Sequence, residues 1–164
     1  MKLLIVVLFT LLSVSAHAEQ QPNLKKSSET YSDWLVECIE SQEQKRCEMK
    51  QNLVNQNQQL IAVFSLIKRK ADKSTLVQIA LPHLLDLTTQ VKVAIDDKNT
   101  KSLPFKFCNR TACFVIIDND AKFISQLQKG NAGLVTSKVV NGEDLKLNFS
   151  LKGFSAALKA LPAI

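Results

Sequence analysis

Apolar and polar residues alternate along much of the chain with the period of two that half-buried strands show. Asp33-Trp34-Leu35-Val36-Glu37-Cys38 sets Trp34, Val36 and Cys38 on one face, so the single tryptophan is expected in the core. Cys47 to Gln51 alternates again. Leu60 to Ile67 is a dense apolar run whose length, with Val63, Phe64 and Ile67, favours a central strand over a helix. Lys68 to Ser74 turns the chain into Thr75 to Leu81, which Pro82 ends. Val91 to Ile95, Phe105 to Cys108 and Cys113 to Ile117 follow as short strands. Leu134 to Val140 and Leu145 to Leu151 flank Asn141-Gly142, the strongest short-range signal of a hairpin. Helical spacing occurs twice. Asp118 or Asp120 caps a segment through Gln128 that buries Phe123, Ile124 and Leu127, and Phe154 to Leu161 precedes Pro162. Eight or nine short strands with one or two short helices predict an all-β sandwich or barrel.

The N-terminus follows a different grammar. Lys2 precedes an apolar run from Leu3 to Val14, and Ala16-His17-Ala18 is a small-x-small site ahead of polar residues. That order reads as a signal peptide over 1–18 with cleavage after Ala18. The run of about twelve residues is well short of the roughly 20 that a bilayer requires. Residues 19–30 are polar and read as a flexible leader, with a single ordered domain over 31–164. No later stretch is apolar enough to span a membrane, so the mature chain is expected in a periplasm or outside the cell.

Four cysteines in an exported chain read as disulfides. Cys38 and Cys47 flank one polar, turn-like stretch, and Cys108 and Cys113 flank another; sequence proximity therefore favours Cys38–Cys47 and Cys108–Cys113. The spacings are far from the tight C-x2-C pairs of a four-cysteine zinc site. Each closed loop is worth roughly 2–3 kcal/mol by chain entropy.

The formal charge of +6 falls to +5 once Lys2 leaves with the leader, and acids and bases are interspersed. Nucleic-acid binding would want a basic stripe with interleaved aromatics, which is absent. The one dense basic cluster, Lys68-Arg69-Lys70, sits in a turn and is the candidate partner contact. His83 is the sole histidine after residue 18, so neither a Ser-His-Asp set nor a histidine-based metal site can be assembled around a pair. Asp96-Asp97 with Asn99, and Asp118-Asn119-Asp120, lack the glycine and closing glutamate of a calcium loop and read as turn and cap chemistry. The chain thus presents no catalytic, cofactor-binding or metal-ligating residues.

Several stretches together resemble the invasion-associated locus B family of bacterial exported proteins. They are Trp34-x-Val36-x-Cys38, Arg46-Cys47-Glu48-Met49-Lys50-Gln51, Cys108-Asn109-Arg110-Thr111-Ala112-Cys113 and Ser150-Leu151-Lys152-Gly153-Phe154-Ser155-Ala156-Ala157-Leu158. Two departures stand out: Ala112 where the family usually has glycine, and His83-Leu84-Leu85 after Leu81-Pro82 where a glycine is expected. The resemblance implies an immunoglobulin-like β-sandwich with local disulfides, a link to host-cell invasion in some pathogens, and no catalytic residues to carry over. The leading expectation is a non-enzymatic envelope or secreted protein that binds an unknown protein or cell-surface component. A periplasmic small-ligand carrier with an apolar pocket between its sheets is the alternative. A hydrolase built on Asp33 with Glu37, or Asp118 with Asp120, is a third reading.

Overall fold

Each alternating segment finds a neighbour of opposite direction, and the apolar parities face one another across two sheets. A computed structural model describes residues 24–42, 44–55, 57–98 and 100–164. The signal segment, its Ala18 cleavage site, residues 19–23 and Asn99 lie outside the described residues. In chain order the elements are β1 (Lys25–Tyr31), β2 (Trp34–Glu40), β3 (Lys45–Val54), β4 (Leu60–Lys68), β5 (Thr75–Leu81), β6 (Val91–Ile95), β7 (Lys101–Leu103), β8 (Phe107–Cys108) and β9 (Cys113–Asp118). Then come α1 (Ala121–Lys129), β10 (Ala132–Lys138), β11 (Asp144–Ser150) and α2 (Phe154–Ala160). A seven-stranded antiparallel sheet runs β1-β2-β3-β4-β5-β9-β8, and a four-stranded one runs β11-β10-β6-β7. The two sheets form the predicted β-sandwich, with both helices packed into the same core.

Two strands were not legible as such. The leader expected over 19–30 gives way at Lys25 to β1, which pairs with β2 over its whole length. Its sequence, KKSSETY, shows no alternation because β1 is an edge strand exposed on both faces; backbone pairing through a two-residue turn makes it a strand. β7 is three residues long, too short to display a period.

The core is organised around Trp34, which is wholly buried. Phe64 meets it edge-on at 5.9 Å and Phe154 of α2 at 5.0 Å, while Phe149 of β11 lies 4.7 Å from Phe64. Aromatic pairs in this geometry add to the gain from apolar burial. A polar clasp closes the same region. Gln51, on the inward parity of β3, donates from Nε2 to the Asp33 and Ser150 carbonyls (3.0 and 3.2 Å) and accepts from Ser150 N–H at 2.8 Å. The Trp34 indole N–H also donates to the Ser150 carbonyl, at 3.0 Å. Buried polar groups are tolerated when paired in this way.

The helix ends are set by single residues. Asp120, not Asp118, caps α1 by accepting from Phe123 N–H at 2.9 Å. Gly153 begins α2 at φ +86°, and a Cβ there would sit 2.0 Å from the Tyr31 carbonyl oxygen in the β1–β2 turn. Only glycine permits that contact.

Candidate binding surface

Both disulfides fasten strand ends. Cys38 and Cys47 are directly opposite in the β2–β3 ladder, with S–S 2.07 Å and Cα atoms 4.1 Å apart. Cys108 and Cys113 are opposite in β8–β9, with S–S 2.04 Å and Cα atoms 4.0 Å apart. In the second loop Asn109 Oδ1 accepts from the N–H groups of Thr111 and Ala112 at 2.8 and 3.0 Å. That turn needs no positive φ at Ala112, so alanine serves in place of the expected glycine. The other departure has a cost: Leu84 adopts φ +68° with its side chain 74% exposed.

The basic cluster is less free than its sequence suggests. Lys68 Nζ donates to the Leu158 carbonyl of α2 at 2.5 Å, and burial pulls its pKa down. Arg69 bonds Ser74 Oγ at 2.8 Å, Asp72 at 2.9 Å and Asp118 at 3.1 Å. Its guanidinium therefore closes the β4–β5 turn onto the end of β9. Lys70 is exposed, and only its backbone is engaged, donating to the Ile164 carbonyl at 2.7 Å. Of the three candidate contact residues, Lys70 alone presents an unpaired side-chain cation among the described residues.

His83 and several of the carboxylates are likewise engaged. His83 Nε2 lies 3.0 Å from the Asn109 carbonyl, tying the loop after β5 to the second disulfide loop. Glu37 pairs with Lys26 at 2.6 Å and Lys50 at 3.0 Å; hydrogen bonds from these two ammonium groups hold its carboxyl below the usual range. Asp120 is held low by Lys101 at 2.8 Å and by its capping bond to Phe123. Asp96 accepts from the N–H groups of Asn131 and Ala132 at 3.0 and 3.1 Å, which lowers its pKa in turn. Among the described residues no group of three or more His, Cys, Asp or Glu side chains converges on a metal site. No described helix is long and apolar enough to cross a membrane.

The feature that sequence reading missed lies on the outer face of the seven-stranded sheet. The second sheet and both helices share the inner-face core, while on the opposite side Ile164 lines a hollow with Ile39, Arg46 and Ile67. Antiparallel sheets with one wet face usually alternate apolar-in with polar-out. Here one cross-strand row reads Asn52–Val63–Ala80–Phe114–Phe107 across β3, β4, β5, β9 and β8. Phe107 stacks on Phe114 with centroids 4.8 Å apart and stays 50% exposed. Val54 and Leu60, paired at the end of β3 and β4, extend the apolar strip at 45% and 57% exposure. The signal was present in the run from Leu60 to Ile67, where consecutive apolar residues leave both faces of β4 hydrophobic. Within the strip Phe107, Val54 and Leu60 are the well-exposed members, Val63 and Ala80 are half-buried, and Phe114 is buried beneath Phe107.

Three comparisons with known proteins fit this architecture. The pattern described as "Invasion associated locus B (IalB) protein" matches residues 34–162. Invasion protein B homologues from two Brucella abortus strains, 2308 and 9-941, are each 29% identical over 159 residues, covering 95% of this chain and 92% of their own. The crystal structure of invasion associated protein B from Bartonella henselae superposes with a TM-score of 0.72 at 23% identity, covering 82% of this chain and 93% of that one. The matched residues take in the core tryptophan, both disulfides and Gly153, and the chain belongs to the invasion associated locus B family.

Proposed function

We propose that this protein is exported, loses its leader at Ala18, and works in the periplasm or outside the cell as a non-enzymatic binding protein. Its partner is a protein or cell-surface component, and the names of its relatives make host-cell contact the setting to test first. The observation that carries this reading is the exposure of Val54, Leu60 and Phe107 along the apolar strip on the outer face of the seven-stranded sheet. Lys70, in the turn after β4, would add an electrostatic contribution to the rate of encounter. A small-ligand carrier is the poorer fit, since the rings of Trp34, Phe64, Phe149 and Phe154 interlock where its pocket would lie.

Site-specific photocrosslinking tests the surface. A photoreactive residue at Leu60 or Phe107 is expected to trap one discrete partner in the producing cell or on host cells. The same group at Lys146, which is exposed on β11 of the other sheet, is expected to trap none. Equal yields from the two faces, or none from either, would refute the assignment. Lys70→Glu should slow association without changing which species is trapped.

A further inference from the structure

The seven-stranded sheet ends in β1, a seven-residue strand that among the described residues pairs only with β2, in regular register and without proline or bulge. Such an edge is a template for another strand. Which of its backbone groups are free follows from two independent observations. The β1–β2 loop is Ser32-Asp33, so the closing pair Tyr31↔Trp34 exchanges both hydrogen bonds. By alternation Lys25, Ser27 and Glu29 also direct their backbone groups at β2. The Cys38–Cys47 Cα separation of 4.1 Å marks a pair without mutual hydrogen bonds. Cys38 must then direct its N–H and C=O at β1, where its partner is Ser27, giving the same parity. The N–H and C=O groups of Lys26, Ser28 and Thr30 therefore face outward along the open edge.

Lysine near an edge ordinarily deters pairing. Lys25 and Glu29, however, share one face of β1, both are exposed, and neither has an ion-pair partner among the described residues. The Tyr31 hydroxyl lies beside Glu29, which raises the tyrosine pKa. We propose that two copies of this chain associate by antiparallel pairing of their β1 edges, about a two-fold axis through Ser27, in the register that sets Lys25 against Glu29 of the second copy. In that register Lys26 exchanges hydrogen bonds with Ser28 of the second copy, and Leu24 with Thr30. Lys25 and Glu29 fall at the closely spaced non-hydrogen-bonded positions, where opposite charges interact best. An axis through Ser28 sets Lys25 against Tyr31 and forms no ion pair. An axis through Glu29 opposes two carboxylates. The sequence of β1 thus selects its own copy, and one register of it, over a generic strand. The two sheets join edge to edge, and the outer-face strip plays no part in the contact.

Sedimentation of the full mature chain, from low micromolar to near-millimolar concentration, tests this. A reversible monomer–dimer equilibrium is expected, weakening as salt rises. Lys25→Glu and Glu29→Lys should each lower the association constant about ten-fold, because two attractive pairs become repulsive. Mixing the two single variants should restore association as a heterodimer, and the double variant K25E/E29K should dimerise like the parent. A chain that stays monomeric at every concentration overturns the proposal, whatever other strand the edge then accepts. A dimer indifferent to both single reversals overturns it equally.

Discussion

Replacing Gly153 with alanine measures how firmly the start of α2 is seated on the β1–β2 turn, and Gly142 supplies the control. The two glycines have nearly the same backbone, φ +86° and +90°. Forcing an L-residue into that region costs about 1 kcal/mol at either site. Their surroundings differ completely. A Cβ on Gly142 meets nothing within 4 Å, whereas on Gly153 it would lie 2.0 Å from the Tyr31 carbonyl oxygen, 2.8 Å from its carbon and 2.9 Å from Ser32 Cβ. Two of those three neighbours are backbone in a tight hairpin, so the turn cannot yield cheaply. Relief has to come from moving α2, which pulls Phe154 off the face it shares with Trp34. Overpacking of this kind adds roughly 1–3 kcal/mol.

Gly142→Ala is thus expected to destabilise by about 1 kcal/mol and Gly153→Ala by about 2–4 kcal/mol. With a urea slope of about 2 kcal/mol/M for a domain of this size, the midpoints should fall by about 0.5 M and about 1–2 M. Trp34 is the single tryptophan, wholly buried beside α2, so its fluorescence reports both unfolding and the local shift. Gly153→Ala should also redden native emission, while Gly142→Ala should leave it unchanged. Equal midpoint shifts for the two variants would show that the close approach carries no energy and refute the reasoning.

Leu84→Gly should stabilise, because it removes a left-handed leucine whose side chain is mostly in solvent. The strain relieved is about 1 kcal/mol and the extra unfolded-state entropy offsets part of it, leaving a gain of a few tenths, read as a higher urea midpoint; a lower midpoint would mean that the leucine packs on something. Acid should destabilise. Glu37, Asp96 and Asp120 all have pKa values held below the ordinary carboxylate range in the fold, so their contribution is complete above the unfolded-state values and is lost as pH falls below about 4 through the folded ones. Urea midpoints at pH 7, 4 and 3 should fall in that order, and Glu37→Gln should flatten the profile; a midpoint that rises on acidification would contradict the sign.

Where the sequence could be read, one local interaction decided the outcome. Asp120 caps α1 through a residue three positions on, Asn141-Gly142 turns β10 into β11, and Trp34, Val36 and Cys38 follow strict alternation. Where it could not, the deciding partner was distant. Asp72 lies three residues from Arg69 and was open to view, but Asp118, which also neutralises the basic tip, arrives only with the β5–β9 pairing. Gln51 sits on the inward parity of β3 as visibly as Met49 does. Its task became apparent only when β11 delivered Ser150, 99 residues later. The apolar strip is the extreme case, since Val63, Ala80, Phe114 and Phe107 come from four strands and their alignment is a property of register and not of any window of sequence.

The placing of the two bridges links this frame to its use. The β3–β4 ladder ends at Met49↔Leu66, so beyond it the β2–β3 hairpin leaves the sheet, and Lys68 of β4 pairs instead with Ala163. The Cys38–Cys47 bridge lies in that overhang. The Cys108–Cys113 bridge holds β8, a strand of only two residues, against β9, and β8 carries the exposed Phe107. Each bridge stands where hydrogen-bonded support is thinnest, while the middle of the sandwich relies on its aromatic core. A loop closed by a disulfide loses little further entropy when a partner orders it. Phe107 at the edge of the apolar strip is thereby held in place by the bridge formed at the next residue, Cys108.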